Sequence, residues 1–326
     1  MNTCRSARIE SRNPVPAGRS VECQVIVGVP FDGGAVARYV ELETARTRHR
    51  DLRTPIARPA ERQEYGSLMS HAPARQFTAS DGIEIAYFSW GRESDEVPVV
   101  LHHGFAANAQ SNWVVPGVVG ALVDAGRQVV AVDARGHGIS DKPHNAASYG
   151  EQRMARDLVS LFDVLDSPAI DLVGYSMGAI VALIAASFDT RIQRLVVGGV
   201  GAAVAELGGV ERRHLDTDAL AVGLRADDPA SIADPIVRQF RKFADRQGAD
   251  RFALAAQSEA RNTSPIALDQ ITAPTLLIVG EKDQLAQRPD VLVAAIPGAR
   301  LLTIAGDHLS AVANPEFSRA IVEFLA

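Results

Sequence analysis

Three residues in one chain order, Ser176, Asp283 and His308, are of the types that together could do nucleophilic chemistry in this 326-residue chain. A serine hydroxyl is a poor nucleophile at neutral pH. It needs a base within hydrogen-bond reach and a third group that fixes the base's tautomer and holds the imidazolium. Ser176 lies in Gly174-Tyr175-Ser176-Met177-Gly178. Before it, Ala169-Ile170-Asp171-Leu172-Val173 suits a buried parallel strand, and after it Ala179 to Ala186 reads as a buried helix. A serine with glycine two residues away on either side, at a strand-to-helix junction, is the tight turn that lifts a hydroxyl above a sheet. The glycines make room, because a β-carbon at either flank would meet the neighbouring strand or helix.

In an open α/β sheet, reactive groups collect beyond the carboxyl ends of strands. Two further strand ends follow Ser176. Gly280-Glu281-Lys282-Asp283 follows the apolar run ending at Val279, and Gly306-Asp307-His308 follows the one ending near Ala305. The order Ser176, Asp283, His308 is the acid-before-histidine order of a serine hydrolase on such a sheet. Glu281 competes with Asp283 for the acid's place, Asp307 is read as shaping its turn, and Asp133 belongs to a different loop. His49, His71, His137, His144 and His214 have no partner pattern. His102 and His103 lack the further histidine and aspartate spacing of a metal cluster, so no metal is assigned. A developing oxyanion needs donors. The N–H of Met177, at the positive end of its helix, supplies one, and the loop after Leu101, through the N–H of Phe105, the other. The Phe105 ring then either lies beside the pocket or covers the sheet edge.

The elements that must position these groups alternate. Arg75-Gln76-Phe77-Thr78 and Ile83 to Trp90 flank Ser80-Asp81-Gly82, an antiparallel pair joined by a tight turn. Val97 to Leu101 is a buried strand, Val114 to Ala125 a helix ended by Gly126, and Gln128 to Val132 the next strand. Ser148 with Glu151 spells a capping box for a helix with Met154, Leu158, Leu161, Phe162 and Leu165 on one face. After the Ser176 unit comes the strand Leu195 to Val200. Residues 201–270 then break the alternation with helices at Thr217–Arg225, from Pro235 to Gln247 and from Asp250 through Ala260, a small helical insertion over the sheet. In it Leu220, Leu224, Ile236, Phe240, Phe243 and Phe252 are the candidates for lining a pocket or packing on the body. Strands at Thr275 to Val279 and Arg300 to Ile304, a helix near Pro289–Ala295 and a last helix from Pro315 complete the chain. Strands alternating with helices imply an α/β fold, a mostly parallel sheet covered on both faces.

Composition narrows the function. A net charge of −6 without a basic stripe argues against nucleic acid, and no apolar run is long enough to span a bilayer. Cys4 and Cys23 offer neither a disulfide framework nor a metal site, so the compartment is read by default as reducing and cytoplasmic. Residues 1–72 differ from the rest. They are arginine-rich yet acidic enough to disfavour a transit peptide, carry one apolar cluster, Val25-Ile26-Val27, and read as a disordered extension to a domain of residues 73–326. Met69, just before the first convincing strand, is a candidate start.

From about Arg75 to Ala326 the chain resembles the α/β-hydrolase superfamily. The resemblance rests on His103-Gly104-Phe105, Asp133-Ala134-Arg135-Gly136-His137-Gly138-Ile139-Ser140, Gly174 to Gly178, Gly280 to Asp283 and Gly306-Asp307-His308. It implies an eight-stranded sheet with an antiparallel second strand, a helical cap between the sixth strand and the acid, no cofactor, and an Arg135 that buttresses turns near the site. The serine excludes the members with an aspartate nucleophile, the dehalogenases and epoxide hydrolases. The expectation is a cofactor-free serine hydrolase cleaving an ester, thioester or lactone of a small, largely apolar molecule. The alternatives are a carbon–carbon bond hydrolase or perhydrolase on the same triad, or a receptor-like binding member with little turnover. The sequence sets neither the substrate nor the oligomeric state.

Overall fold

The structure, a computed structural model, describes residues 72–92 and 96–326. The expectations placed on the N-terminal segment, its Val25-Ile26-Val27 cluster, the two cysteines and Met69, lie outside these residues.

Eight strands form one sheet in the order β1-β2-β4-β3-β5-β6-β7-β8. β1 is Arg75–Thr78, β2 Glu84–Trp90, β3 Val99–His102, β4 Val129–Asp133, β5 Ile170–Tyr175, β6 Ile192–Gly198, β7 Thr275–Gly280 and β8 Arg300–Ile304. β2 runs antiparallel to both β1 and β4, and every pair from β4 to β8 is parallel. β3, β4, β5 and β7 are buried along their whole length. That is why their sequences are runs of Val, Leu and Ile, not an alternation of apolar and polar residues.

Helices close both faces. α1 is Val118–Asp124, α2 Glu151–Leu165, α3 Met177–Ala186, α4 Ala202–Leu207, α5 Thr217–Arg225, α6 Pro235–Arg246, α7 Arg251–Glu259, α8 Pro289–Ala295 and α9 Pro315–Phe324. One apolar cluster packs α2 and α3 on the sheet through Met154, Leu158, Phe162, Ile180 and Leu183. The other packs α1 and α9 on the opposite face through Val118, Leu122, Phe317 and Ile321. The insertion after β6 has a core of its own, in which Leu220 and Leu224 of α5 meet Val237 and Ala244 of α6 and Leu254 of α7. Three helices there begin at aspartates whose side chains accept the first free N–H groups: Asp216, Asp234 and Asp250.

Two local readings need correction. The helix expected from Val114 to Ala125 is two pieces, a π-helical turn Gln110–Val114 and then α1. Pro116 lacks an N–H and Gly117 takes φ 85°, so the chain turns between them. The capping box of Ser148 and Glu151 does not form. Gly150 (φ 112°) is the N-cap of α2, Ser148 ends a 3-10 turn capped by Asn145, and Glu151 turns into the interior.

At the ends of the sheet, buried ion pairs hold the frame. Arg127 donates to Asp171 at 2.5 Å and to the Leu325 carbonyl at 2.6 Å, tying the start of β5 to the end of α9. Arg135, 1% exposed, donates two hydrogen bonds to Asp157 (2.6 and 2.7 Å), two to Asp81 (2.8 and 3.1 Å) and one to the Ser148 carbonyl. It thereby joins the β1–β2 turn, the loop after β4 and α2, the buttressing expected of it. The Arg135 guanidinium also holds the Asp81 carboxyl down at about 2.

Candidate active site

The backbone of Ser176 carries the site's local strain. It sits at φ 54°, ψ −116°, between β5 and α3, a left-handed conformation that a residue with a side chain adopts only where its surroundings enforce it. The flanking glycines make room for it. A β-carbon on Gly174 would lie 2.3 Å from the Gly178 carbonyl oxygen, and one on Gly178 would lie 2.1 Å from that of His102. β5, α3 and β3 therefore approach as closely as backbone can.

Register brings the other two residues together. Gly280 pairs with Ile304 at the ends of β7 and β8. Beyond them Glu281 N–H donates to the Ile304 carbonyl (2.8 Å) and Lys282 N–H to that of Gly306 (2.9 Å), so the two loops run side by side. Asp283 and His308 thus face each other. The His308 Nδ1–H donates to Asp283 Oδ2 at 2.8 Å, with Oδ1 at 3.0 Å. A carboxylate only accepts, so this bond fixes the proton on Nδ1 and leaves Nε2 as an acceptor. Ser176 Oγ lies 2.9 Å from Nε2 and donates to it. Asp283 is buried, and its Oδ1 also accepts from the N–H groups of Leu285 and Ala286. The Tyr175 hydroxyl donates to the His308 carbonyl at 2.8 Å and steadies that loop. Glu281, the competing acid, is exposed beside Lys282, and Asp307 is occupied by Ser310 and Leu309 in its own turn.

Phe105 and Met177, the residues expected to supply the oxyanion donors, line one cavity together with Ser176. Met177 opens α3, so its N–H has no partner within the helix. Around Phe105 the loop's other amides are committed: Gly104 N–H to Asn112 Oδ1, Ala106 N–H to His137 Nε2 and Ala109 N–H to Asp133 Oδ1. The N–H of Phe105 is not among those taken. Its ring lies edge-on to His137 at 6.0 Å and to Phe240 at 6.2 Å, in the pocket wall. His102, His103 and His137 are buried together behind this loop. Among the described residues no group of histidine, cysteine and carboxylate side chains has the arrangement of a metal site.

The family profile described as alpha/beta hydrolase fold matches residues 97–206, from β3 into α4. A 2-hydroxy-6-oxononadienedioate/2-hydroxy-6-oxononatrienedioate hydrolase of Cupriavidus pinatubonensis is 30% identical over 250 residues, 70% of this chain and 86% of that protein. The chain belongs to the α/β-hydrolase superfamily. A solved hydrolase from Pseudomonas aeruginosa PA01 superposes on this α/β hydrolase with a TM-score of 0.63 and 28% identity, over 78% of this chain and 98% of the other. A non-heme chloroperoxidase of Streptomyces lividans is 36% identical over 101 residues, 31% of this chain and 34% of that protein. For several curated relatives the matched part spans only 33% to 47% of their length. No described helix is long and apolar enough to cross a membrane.

Two cavities share Ser176, Phe105 and Phe240 in their walls. One, of about 220 Å³, is lined further by Gly104, Tyr175, His308 and Val312. The other, of about 60 Å³, runs under the insertion against Met177, Glu151, Gln257, Arg261 and Leu220. A groove of about 310 Å³ between Ile236, Phe240 and Phe243 of α6 and Lys282, Leu285 and Leu309 adjoins His308. Leu224 instead fills the core of the insertion, and Phe252 is exposed. Glu151 and Gln257 were not legible as site residues. They come from α2 and α7, and only the docking of the insertion on the body places both beside Ser176.

Proposed function

We propose that this α/β hydrolase is a cofactor-free serine hydrolase that cleaves a carboxylic ester, thioester or lactone of a small, largely apolar substrate through an acyl-enzyme. The observation that carries the reading is the continuous relay from Ser176 Oγ to His308 Nε2 (2.9 Å) and from His308 Nδ1 to Asp283 (2.8 Å). Ser176 Oγ attacks the carbonyl carbon as Nε2 takes its proton, and the N–H groups of Phe105 and Met177 face the resulting oxyanion. The imidazolium, held by Asp283, returns the proton to the leaving oxygen or sulfur. Water, deprotonated by the same Nε2, then releases the acid. Each acid, base and donor in this sequence belongs to the chain itself. The partner is a small molecule, with neither nucleic acid nor membrane involved, and the cytoplasm is the proposed location.

A carbon–carbon bond hydrolase is the second reading, favoured by the likeness to the Cupriavidus pinatubonensis hydrolase of a dienedioate. The walls of the small cavity weigh against it, since Glu151 there stands against Arg261 and leaves no net positive charge for a carboxylate. Short-chain nitrophenyl esters test the proposal. Turnover by the wild type, lost in Ser176→Ala and His308→Ala, is expected; full activity in either variant overturns the triad.

A further inference from the structure

We propose that Gln257 and Glu151 form a polar subsite that receives a neutral hydroxyl on the acyl part of the substrate; the inference rests on the serine-hydrolase reading above. Proton transfer decides which cavity takes which part. The leaving group must collect its proton from His308 Nε2, so it occupies the cavity of about 220 Å³ that His308 lines. The acyl part then falls to the cavity of about 60 Å³, which Met177 lines and His308 does not. It is the smaller of the two cavities, which suits a short acyl chain.

This small cavity is not simply apolar. Gln257 is 3% exposed, and its Oε1 has no hydrogen-bond partner among the described residues. Its amide nitrogen is turned to the sulfur atoms of Met177 and Met154, which orients the side chain beside the oxyanion donor. Glu151 is 7% exposed, and one of its carboxyl oxygens accepts from the Asn262 N–H. Burial pushes its pKa up, while the nearby Arg261 charge opposes that shift. The charges of Glu151 and Arg261 therefore offset each other, which favours neither an ammonium nor a carboxylate. A hydroxyl supplies the donor that Gln257 Oε1 lacks and can bond Glu151 in either protonation state. An aliphatic chain of the same shape displaces any water at Oε1 and leaves the acceptor unmet, a loss of about ten- to a hundredfold in affinity.

The test compares phenyl β-hydroxybutyrate with its isostere phenyl isovalerate, each rate divided by that ester's hydroxide-catalysed rate. The wild type should favour the hydroxy ester by about tenfold or more in kcat/KM, and Gln257→Leu should bring the ratio close to unity. A wild-type ratio near unity, or a preference that survives Gln257→Leu, overturns the subsite. The wild-type ratio decides even where the leucine variant does not fold. Calorimetric binding of the same pair to Ser176→Ala separates the two readings. Hydroxyl preference in binding with no wild-type turnover sinks the hydrolase and keeps the subsite. Turnover without preference sinks the subsite alone.

Discussion

Acid should unfold this protein through its buried histidines. His103 donates through Nδ1 to the Gly104 carbonyl (2.8 Å) and accepts at Nε2 from Ala134 N–H (3.0 Å). His137 donates to the Arg135 carbonyl (3.0 Å) and accepts from Ala106 N–H (3.1 Å). A second proton on either ring would set N–H against N–H. Burial lowers the pKa of His102 to about 3 and holds His103 and His137 below their usual range. With the folded pKa depressed, the unfolded chain binds the extra proton first, so stability falls as pH drops from about 6.5 toward about 3. At pH near 5 His102 alone costs about 2 kcal/mol, and His103 and His137 act in the same direction. Glu151 and Asp157 act oppositely, because burial raises their pKa and the folded chain gains protons as pH falls. His102→Leu isolates one histidine. Urea unfolding followed from about pH 8 to about pH 5 should show the wild-type loss, with the slope below about pH 6 reduced by about 1.4 kcal/mol per pH unit in the variant. A stability that stays flat across it, or an unchanged slope in His102→Leu, would refute the reasoning.

Three further outcomes are expected. Gly178→Ala forces a β-carbon against the His102 carbonyl and should lower the melting temperature by about 6 °C or more; a wild-type melting curve contradicts the close packing of α3 on β3. Asp157→Asn leaves the buried Arg135 short of a charge partner and should cost about 3–5 kcal/mol in urea unfolding, whereas a change under about 1 kcal/mol means that Asp81 suffices. A protein starting at Met69 retains all eight strands and the whole relay, and is expected to match the full chain in melting temperature and ester turnover; a marked fall in either shows that residues 1–68 contribute.

The sequence disclosed most where chemistry is local. The serine turn reads directly, because its glycines are dictated by contacts within a few residues, and strand ends identify Asp283 and His308 because a parallel sheet places such loops on one edge. The choice of Asp283 over Glu281 needed the register of β7 and β8, which no local pattern carries. Pro116 and Gly117 announced a break that the apolar run around them masked. Ser148 and Glu151 have capping-box spacing, yet Glu151 is drawn inward by Asn262, 111 residues later. Gln257 shows the limit most clearly. In α7 it is one polar residue on a mostly alanine face, and its meaning comes only from Met177 and Ser176 across the interface.

The central claim, an acyl-enzyme on Ser176, is tested most directly by the intact mass of the protein quenched during turnover of a short-chain phenyl ester. The account predicts a single acyl adduct, mapped by digestion to the peptide carrying Ser176 and absent from Ser176→Ala, which should hydrolyse no ester. Ester hydrolysis with no adduct on the wild type, surviving in Ser176→Ala, would contradict it.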